Sequence, residues 1–299
     1  MEKQKKCSNS SMCTDDCSSC QYDHCSGDCS SCVDKCGKYK EDLSIPLNDK
    51  SKIKLVIGVL SGKGGVGKSL VTSLLASKLA KSGLKVGVLD GDITGPSIPK
   101  AFNVHECAYQ EDGLIIPAET KTGIKLISSN MLLDNEDEPI IWRGSLLCQL
   151  LTQFYKDVKW GKLDVLLIDM PPGTGDISLT TFQSFPLDGV VMVTTPQDLV
   201  SMIVKKSIRM VELMNIPILG VVENMSYVLC SKCNDKIYLY GNKANHEFKN
   251  CYGYDRLDQI PFDAKLTSLV DQGQIEDFNG NYLNQLVNMI IDMGDIKYE

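Results

Sequence analysis

The chain has 299 residues, 43% of them hydrophobic, and a formal net charge of -7. This length suits one large α/β domain with an appendage, and the acidic balance argues against general nucleic-acid binding. No apolar run approaches the roughly 20 residues needed to span a bilayer, and no export-type apolar segment follows Met1–Lys6, so a cytoplasmic protein without membrane association is expected.

The first unit is a Cys-rich tail over residues 1–43, followed by a linker over 44–52. Eight of the thirteen cysteines fall in this tail: Cys7, Cys13, Cys17, Cys20, Cys25, Cys29, Cys32 and Cys36. In a secreted chain they would read as a disulfide framework; with reduced thiols, clustered thiolates favour zinc or iron–sulfur chemistry. Cys13-x3-Cys17-x2-Cys20 recurs twelve residues later as Cys25-x3-Cys29-x2-Cys32. Two four-cysteine sets are expected, Cys7/Cys13/Cys17/Cys20 and Cys25/Cys29/Cys32/Cys36. The competing readings are one cluster or zinc ion with redundant ligands, or a loose metal-gathering tail.

From Ile53 to Glu299, apolar strands alternate with helical segments, which predicts a mainly parallel, doubly wound sheet. Leu55–Leu60 reads as a buried strand, and Leu70, Leu74, Leu75, Ala76 and Leu79 as a helix stopping near Gly83. Lys85–Asp90 is the second strand. Leu114–Pro117 and Ile124–Ile127 are expected to form an added strand pair. Helices are predicted over 145–158, 199–214 and 282–293. Strands are predicted over 163–169, 189–194 and 218–222. Residues 228–256 are polar, contain three cysteines and show no periodicity. Cys107 and Cys148 read as structural, and Cys251 as an incidental loop cysteine.

Between the first strand and helix lies Ser61-Gly62-Lys63-Gly64-Gly65-Val66-Gly67-Lys68-Ser69. It matches G-x-x-x-x-G-K-[ST], in which backbone amides and a helix N-terminus converge on nucleotide phosphates. Lys68 is expected at the β- and γ-phosphates and Ser69 on Mg²⁺. Asp169 ends a neighbouring strand and suits a second Mg²⁺ contact, although such residues also cap helices. The turn after it, Met170–Asp176, could present amides to the γ-phosphate. In Asp90-Gly91-Asp92, Asp92 is the candidate to orient water, with Asp90 nearer the Mg²⁺ shell; plain turn chemistry is the even alternative.

These segments occur in one order with Ile93-Thr94-Gly95-Pro96-Ser97-Ile98-Pro99, Trp142-Arg143-Gly144, Thr195-Pro196-Gln197 and Glu223-Asn224-Met225-Ser226. Together they resemble the Mrp/NBP family of iron–sulfur cluster carrier ATPases. That family belongs to the deviant phosphate-loop group, with the septum-site and partition ATPases and the nitrogenase iron protein. The resemblance covers about residues 53–275. It implies ATP and Mg²⁺ as ligands, slow ATP hydrolysis coupled to transfer of a [4Fe–4S] cluster to acceptor apoproteins, and a face-to-face homodimer. Lys63 would reach the partner's phosphates, and Asn224 would contact adenine.

The resemblance also assigns Cys230-Ser231-Lys232-Cys233 to a [4Fe–4S] cluster bridging two subunits, since two thiolates from each copy complete the usual four. Ser231 stands where the family commonly has proline, and zinc could occupy the same thiolates. The tail departs from the family's C-x13-C-x2-C-x5-C pattern. A spatial-organisation ATPase is the alternative, but residues 292–299 are not the basic amphipathic helix of membrane-binding versions. A nitrogenase-iron-protein-like reductase fits less well, because its cluster cysteines are far apart in sequence.

Overall fold

The computed structural model describes residues 45–92, 97–132, 144–242 and 244–296. The elements run β1 Lys52–Ser61, α1 Lys68–Lys81, β2 Val86–Asp90, α2 Ile98–Ala101, β3 Tyr109–Glu111, β4 Leu114–Ile116, β5 Ala118–Glu119 and β6 Lys125–Ser128. They continue with α3 Gly144–Lys156, β7 Lys162–Asp169, α4 Asp176–Ser184, β8 Gly189–Thr194, α5 Asp198–Leu213 and β9 Ile218–Glu223. The last are β10 Val228–Leu229, β11 Lys236–Ile237, α6 Asn245–Tyr252, β12 Arg256–Gln259, α7 Ala264–Asp271 and α8 Asn284–Ile296.

The main sheet has eight strands in the order β12-β9-β8-β1-β7-β2-β6-β5. Every pairing is parallel except β5 with β6. Its central strands are buried on both faces. Ile57, Leu167 and Val191 on one face and Leu60, Leu166 and Met192 on the other are all shut from solvent, which accounts for apolar runs without alternation. On α1, Val71, Leu74, Leu75, Ala76 and Leu79 are buried, and so are Thr72, Ser73 and Ser77. The helix therefore brings hydroxyls as well as apolar groups against the sheet.

The chain leaves β1 for β2, and β7 later enters between them, while β8 takes the other side of β1. The carboxyl end of β1 thus sits where the connections diverge, the usual place for a ligand crevice in an open α/β sheet. In register, Val59 faces Asp169 and Asp90 faces Asp169, so both strand-ending acids stand beside the loop after β1.

Two expectations need correction. The segments at 114–117 and 124–127 do not pair with each other. Leu114–Ile116 pairs with Tyr109–Glu111 across Asp112-Gly113, while Lys125–Ser128 joins the main sheet beside β2. Asp112 and Gly113 have φ of 52° and 78°, the backbone of a tight two-residue hairpin turn. The buried run Ile124–Ile127 is better satisfied by parallel pairing in the core. The stretch at 228–256 is also structured, with a small hairpin (β10–β11) and α6. The expected linker is fastened in its described part: Ile45 N donates to Ser184 O at 2.8 Å, and Asn48 Nδ2 to Lys156 O at 2.6 Å. Among the described residues, no helix is long and apolar enough to cross a membrane.

Candidate nucleotide and thiol sites

Gly62–Gly67 turns from β1 into α1. Gly64 and Gly65 form its exposed rim, where an added Cβ would meet nothing within 4 Å. Gly67 is the opposite case. Its φ is 80°, in the left-handed region, and an added Cβ would lie 2.2 Å from Asn224 Nδ2. Only glycine meets both conditions without strain. Asn224 is buried, and Nδ2 donates to Val66 O at 2.9 Å, holding the loop from beneath.

At the start of α1, Lys68 is 5% exposed, with its ammonium 2.6 Å from Asp169 Oδ2 and 3.6 Å from Asp92 Oδ2. Ser69 Oγ donates to the same Asp169 Oδ2 at 2.6 Å, and Thr72 Oγ1 to Asp169 Oδ1 at 2.6 Å. Both carboxylate oxygens are therefore held by α1. Such a buried charge is tolerable because it is paired and hydrogen-bonded. A cavity of about 330 Å³ opens here, lined by Gly64, Gly65, Lys68, Ser69, Asp92 and Pro172 among others. A lysine ammonium, open glycines and hard oxygen donors suit a nucleotide's phosphates with a Mg²⁺ ion.

Asp90 is fully buried behind this wall. Oδ1 accepts from Asp92 N at 3.2 Å and Oδ2 from Ser128 Oγ at 3.1 Å. Burial first, and then the neighbouring Asp169 carboxylate, push its pKa up to about 7. These bonds tie the Asp90 carboxyl to the Asp92 backbone and to the end of β6. Gly91 N donates to Asp169 O at 2.9 Å, drawing the two strand ends together. Gly173 N is bonded to Ser61 O at 2.9 Å, which ties the post-Asp169 turn to β1. Lys63 Nζ lies 3.4 Å from Gln197 Oε1, on the loop after β8.

Cys230 and Cys233 sit at the tip of the β10–β11 hairpin, Cys230 half-buried and Cys233 exposed. Cys230 N donates to Asp235 O and Asn234 N to Cys230 O, both at 2.9 Å. The amides of Lys232 and Cys233 hold the Cys230 thiol below its ordinary pKa. Cys233 Sγ donates to Asp235 Oδ2 at 3.1 Å. Leu229, Ile237, Leu239 and Tyr240 are exposed in the same stretch. Among the described residues, no group of three or more His, Cys, Asp or Glu side chains is placed to hold a metal. One copy thus offers two thiols at this hairpin.

A sequence model of the NUBPL iron-transfer P-loop NTPase family matches residues 52–292. The chain belongs to this family. A relative from Clostridium perfringens (strain 13 / Type A), named iron-sulfur cluster carrier protein, is 44% identical over 274 residues, covering 87% of this chain and 95% of the relative. One of the same name from Methanocaldococcus jannaschii is 47% identical over 225 residues, covering 75% of this chain and 78% of that one. Among solved structures, an Archaeoglobus fulgidus nucleotide-binding protein in complex with ADP superposes with a TM-score of 0.69 at 40% identity, covering 78% of this chain and 91% of its own. The septum site-determining protein MinD of Pyrococcus horikoshii shares the fold alone, with a TM-score of 0.58 at 19% identity, covering 83% of this chain and 100% of its own.

The structure brings together Lys68, Ser69, Asp92 and Asp169 of the expected NTPase site, with Asp90 behind them. Ile93–Pro96, Trp142 and Arg143 lie outside the described residues, as do Cys7, Cys13, Cys17, Cys20, Cys25, Cys29, Cys32 and Cys36. Sequence reading missed Thr72 and Ser128, and quoted Gln197 within Thr195-Pro196-Gln197 without giving it a role. Thr72 was findable, because its spacing of three from Ser69 puts it on the same helix face. Cys107 is exposed rather than a buried structural residue, and Cys251 is packed against the core on α6 rather than lying in a loop.

Proposed function

We propose that this chain is an ATP-dependent iron–sulfur cluster carrier. It binds MgATP at the phosphate loop, holds a [4Fe–4S] cluster as cargo, and passes that cargo to acceptor apoproteins. The carrying observation is that one chain combines a phosphate cradle of glycines and Lys68 with a thiol pair at a hairpin tip. The relatives' names support the same reading.

In this reading Lys68 moves from Asp169 to the β- and γ-phosphates, releasing the carboxylate. Ser69 and Asp169 would then hold Mg²⁺, which neutralises charge on the phosphates. Asp92 orients the attacking water. Asn224 enters from the resemblance as an adenine contact. Cys230 and Cys233 supply two of four cluster thiolates, and a second subunit supplies the others by two-fold symmetry. Lys63, paired with Gln197 in one copy, is the residue offered to the partner's phosphates. ATP binding selects the closed dimer, and hydrolysis relaxes it. A cytoplasmic address fits the reduced thiols that this chemistry needs. The tail over residues 1–43 holds further metal through its eight cysteines.

Anaerobically reconstituted protein and its Lys68→Ala variant, each mixed with an apo acceptor, test the reading. ATP should stimulate transfer by the wild type alone; equal stimulation in both removes the ATP coupling. Cys233→Ser should abolish the hairpin cluster while nucleotide still binds. Iron and sulfide counts on protein lacking residues 1–40 test the tail, and counts equal to those of the full chain would remove its clusters.

A further inference from the structure

We infer that Asn224 is a positioning residue that couples the phosphate loop to the Cys230–Cys233 hairpin within one chain. The inference rests on the carrier reading above, which assigns nucleotide to one end and cargo to the other.

Cys230 follows Asn224 by six residues, and the connection is fastened at successive points. At the loop end, Asn224 Nδ2 donates to Val66 O at 2.9 Å and packs directly on Gly67. Asn224 N donates to Thr194 O at 2.8 Å, which anchors the residue to β8. Met225 then turns the chain with φ at 55°. Ser226 binds Ile260 O twice, through N at 2.9 Å and Oγ at 3.0 Å. Phe262 N donates to Tyr227 O at 2.8 Å. The Tyr227 ring lies 5.7 Å from that of Tyr238, and Lys236 Nζ sits 4.5 Å above it. These two residues belong to or adjoin β11, which pairs with β10 immediately before Cys230.

Residues 224–227 therefore act as a strut rather than a tether. Phosphate groups drawn onto the loop amides load the backbone at Val66 and Gly67, and any displacement there reaches Asn224 through its bond and its packing. Asn224 cannot follow that shift without moving Met225, because its side chain and main chain are bonded at opposite ends. The left-handed Met225 is the joint at which such motion is absorbed or transmitted. Coupling of this kind is reciprocal, so the state of the thiols must alter nucleotide affinity by the same factor.

The test uses the full, reduced, metal-free chain. Iodoacetamide labelling of Cys230 and Cys233 is followed by peptide mass spectrometry, without nucleotide and with saturating MgADP or MgAMPPNP. Saturation is set from each variant's own Kd, and sedimentation restricts comparison to samples of equal oligomeric state. The wild type should show a nucleotide-dependent rate ratio of about fivefold or more, and Asn224→Ala should bring the ratio close to one. Met225→Gly keeps the Asn224 carboxamide and accepts a positive φ; it too should lower the ratio, and it decides the matter should Asn224→Ala misfold. A wild-type ratio retained by the variants overturns the inference. So does a wild type that binds nucleotide with no change in labelling, which leaves the carrier reading standing. A wild type that binds no nucleotide defeats both.

Discussion

Replacing Gly67 by alanine isolates the contact between the phosphate loop and Asn224. The residue sits at φ 80°, where an L side chain costs about 1–2 kcal/mol. The new Cβ would stand 2.2 Å from Asn224 Nδ2, so the amide must leave Val66 O, at about 1–3 kcal/mol for a buried bond. Loss of glycine's freedom in the unfolded chain offsets about 0.4–1 kcal/mol. The net destabilisation should be about 1–4.5 kcal/mol, centred near 2.5. Urea unfolding followed by circular dichroism reads it directly. In an Asn224→Ala background the clash is gone, and the cost of Gly67→Ala should fall to the backbone part, about 1–2 kcal/mol before the unfolded-state offset. A cost below about 0.5 kcal/mol, or strict additivity in the double-mutant cycle, would refute the packing argument.

Three further outcomes follow from the same geometry. Asp90 has its folded pKa raised from 3.8 to about 7, so the folded state binds the extra proton and the group's contribution to stability falls as pH rises between those values, then levels off. Asp90→Asn should remove that slope, read as the wild-type-minus-variant difference in unfolding free energy across pH; a difference that does not change with pH refutes it. Arg256→Met strands the buried Glu223 carboxylate, now 3.1 Å from the guanidinium and accepting from Gln259 Nε2 at 2.7 Å, and should cost about 3–5 kcal/mol in chemical denaturation; a loss under about 1 kcal/mol would show that Gln259 alone suffices. Thr72→Val removes a 2.6 Å donor to Asp169 and should cost about 1–3 kcal/mol in stability while weakening Mg²⁺-dependent nucleotide binding in a titration.

The parallel core was legible because buried strands carry apolar residues on both faces. Leu163–Asp169 and Gly189–Thr194 stand out in composition, and the glycine pattern marks the loop between β1 and α1. What was not legible depends on partners distant in sequence. The strand at 125–128 does form a short local hairpin, but with Ala118–Glu119 rather than Leu114–Pro117, and its pairing with β2 on the other edge shows in no local pattern. The true hairpin was announced by Asp112-Gly113, a turn signal overshadowed by the apolar run after it. α6 was hidden because its sequence is mostly polar, with Phe248 and Tyr252 buried and Cys251 half-buried beside them. At the site, Lys68, Ser69 and Asp169 could be read from motif logic, whereas Ser128 meets Asp90 only because β6 lies next to β2. Asn224 was recognised, yet its bond to Val66 could not be inferred from any spacing.

Lys68 clasped on Asp169 has a consequence for ligand exchange. The loop lysine already holds an anion, the strand-end Asp169 carboxylate at 2.6 Å, so an incoming phosphate competes with that carboxylate. Nucleotide affinity is then a difference between two ion pairings, weaker than the lysine alone would provide. When product leaves, the ammonium is not stranded in a dry pocket but returns to its resident competitor, which lowers the barrier to release. In the carrier proposed above, Asp169 would thereby bear on how readily nucleotide exchanges as well as on how Mg²⁺ is held.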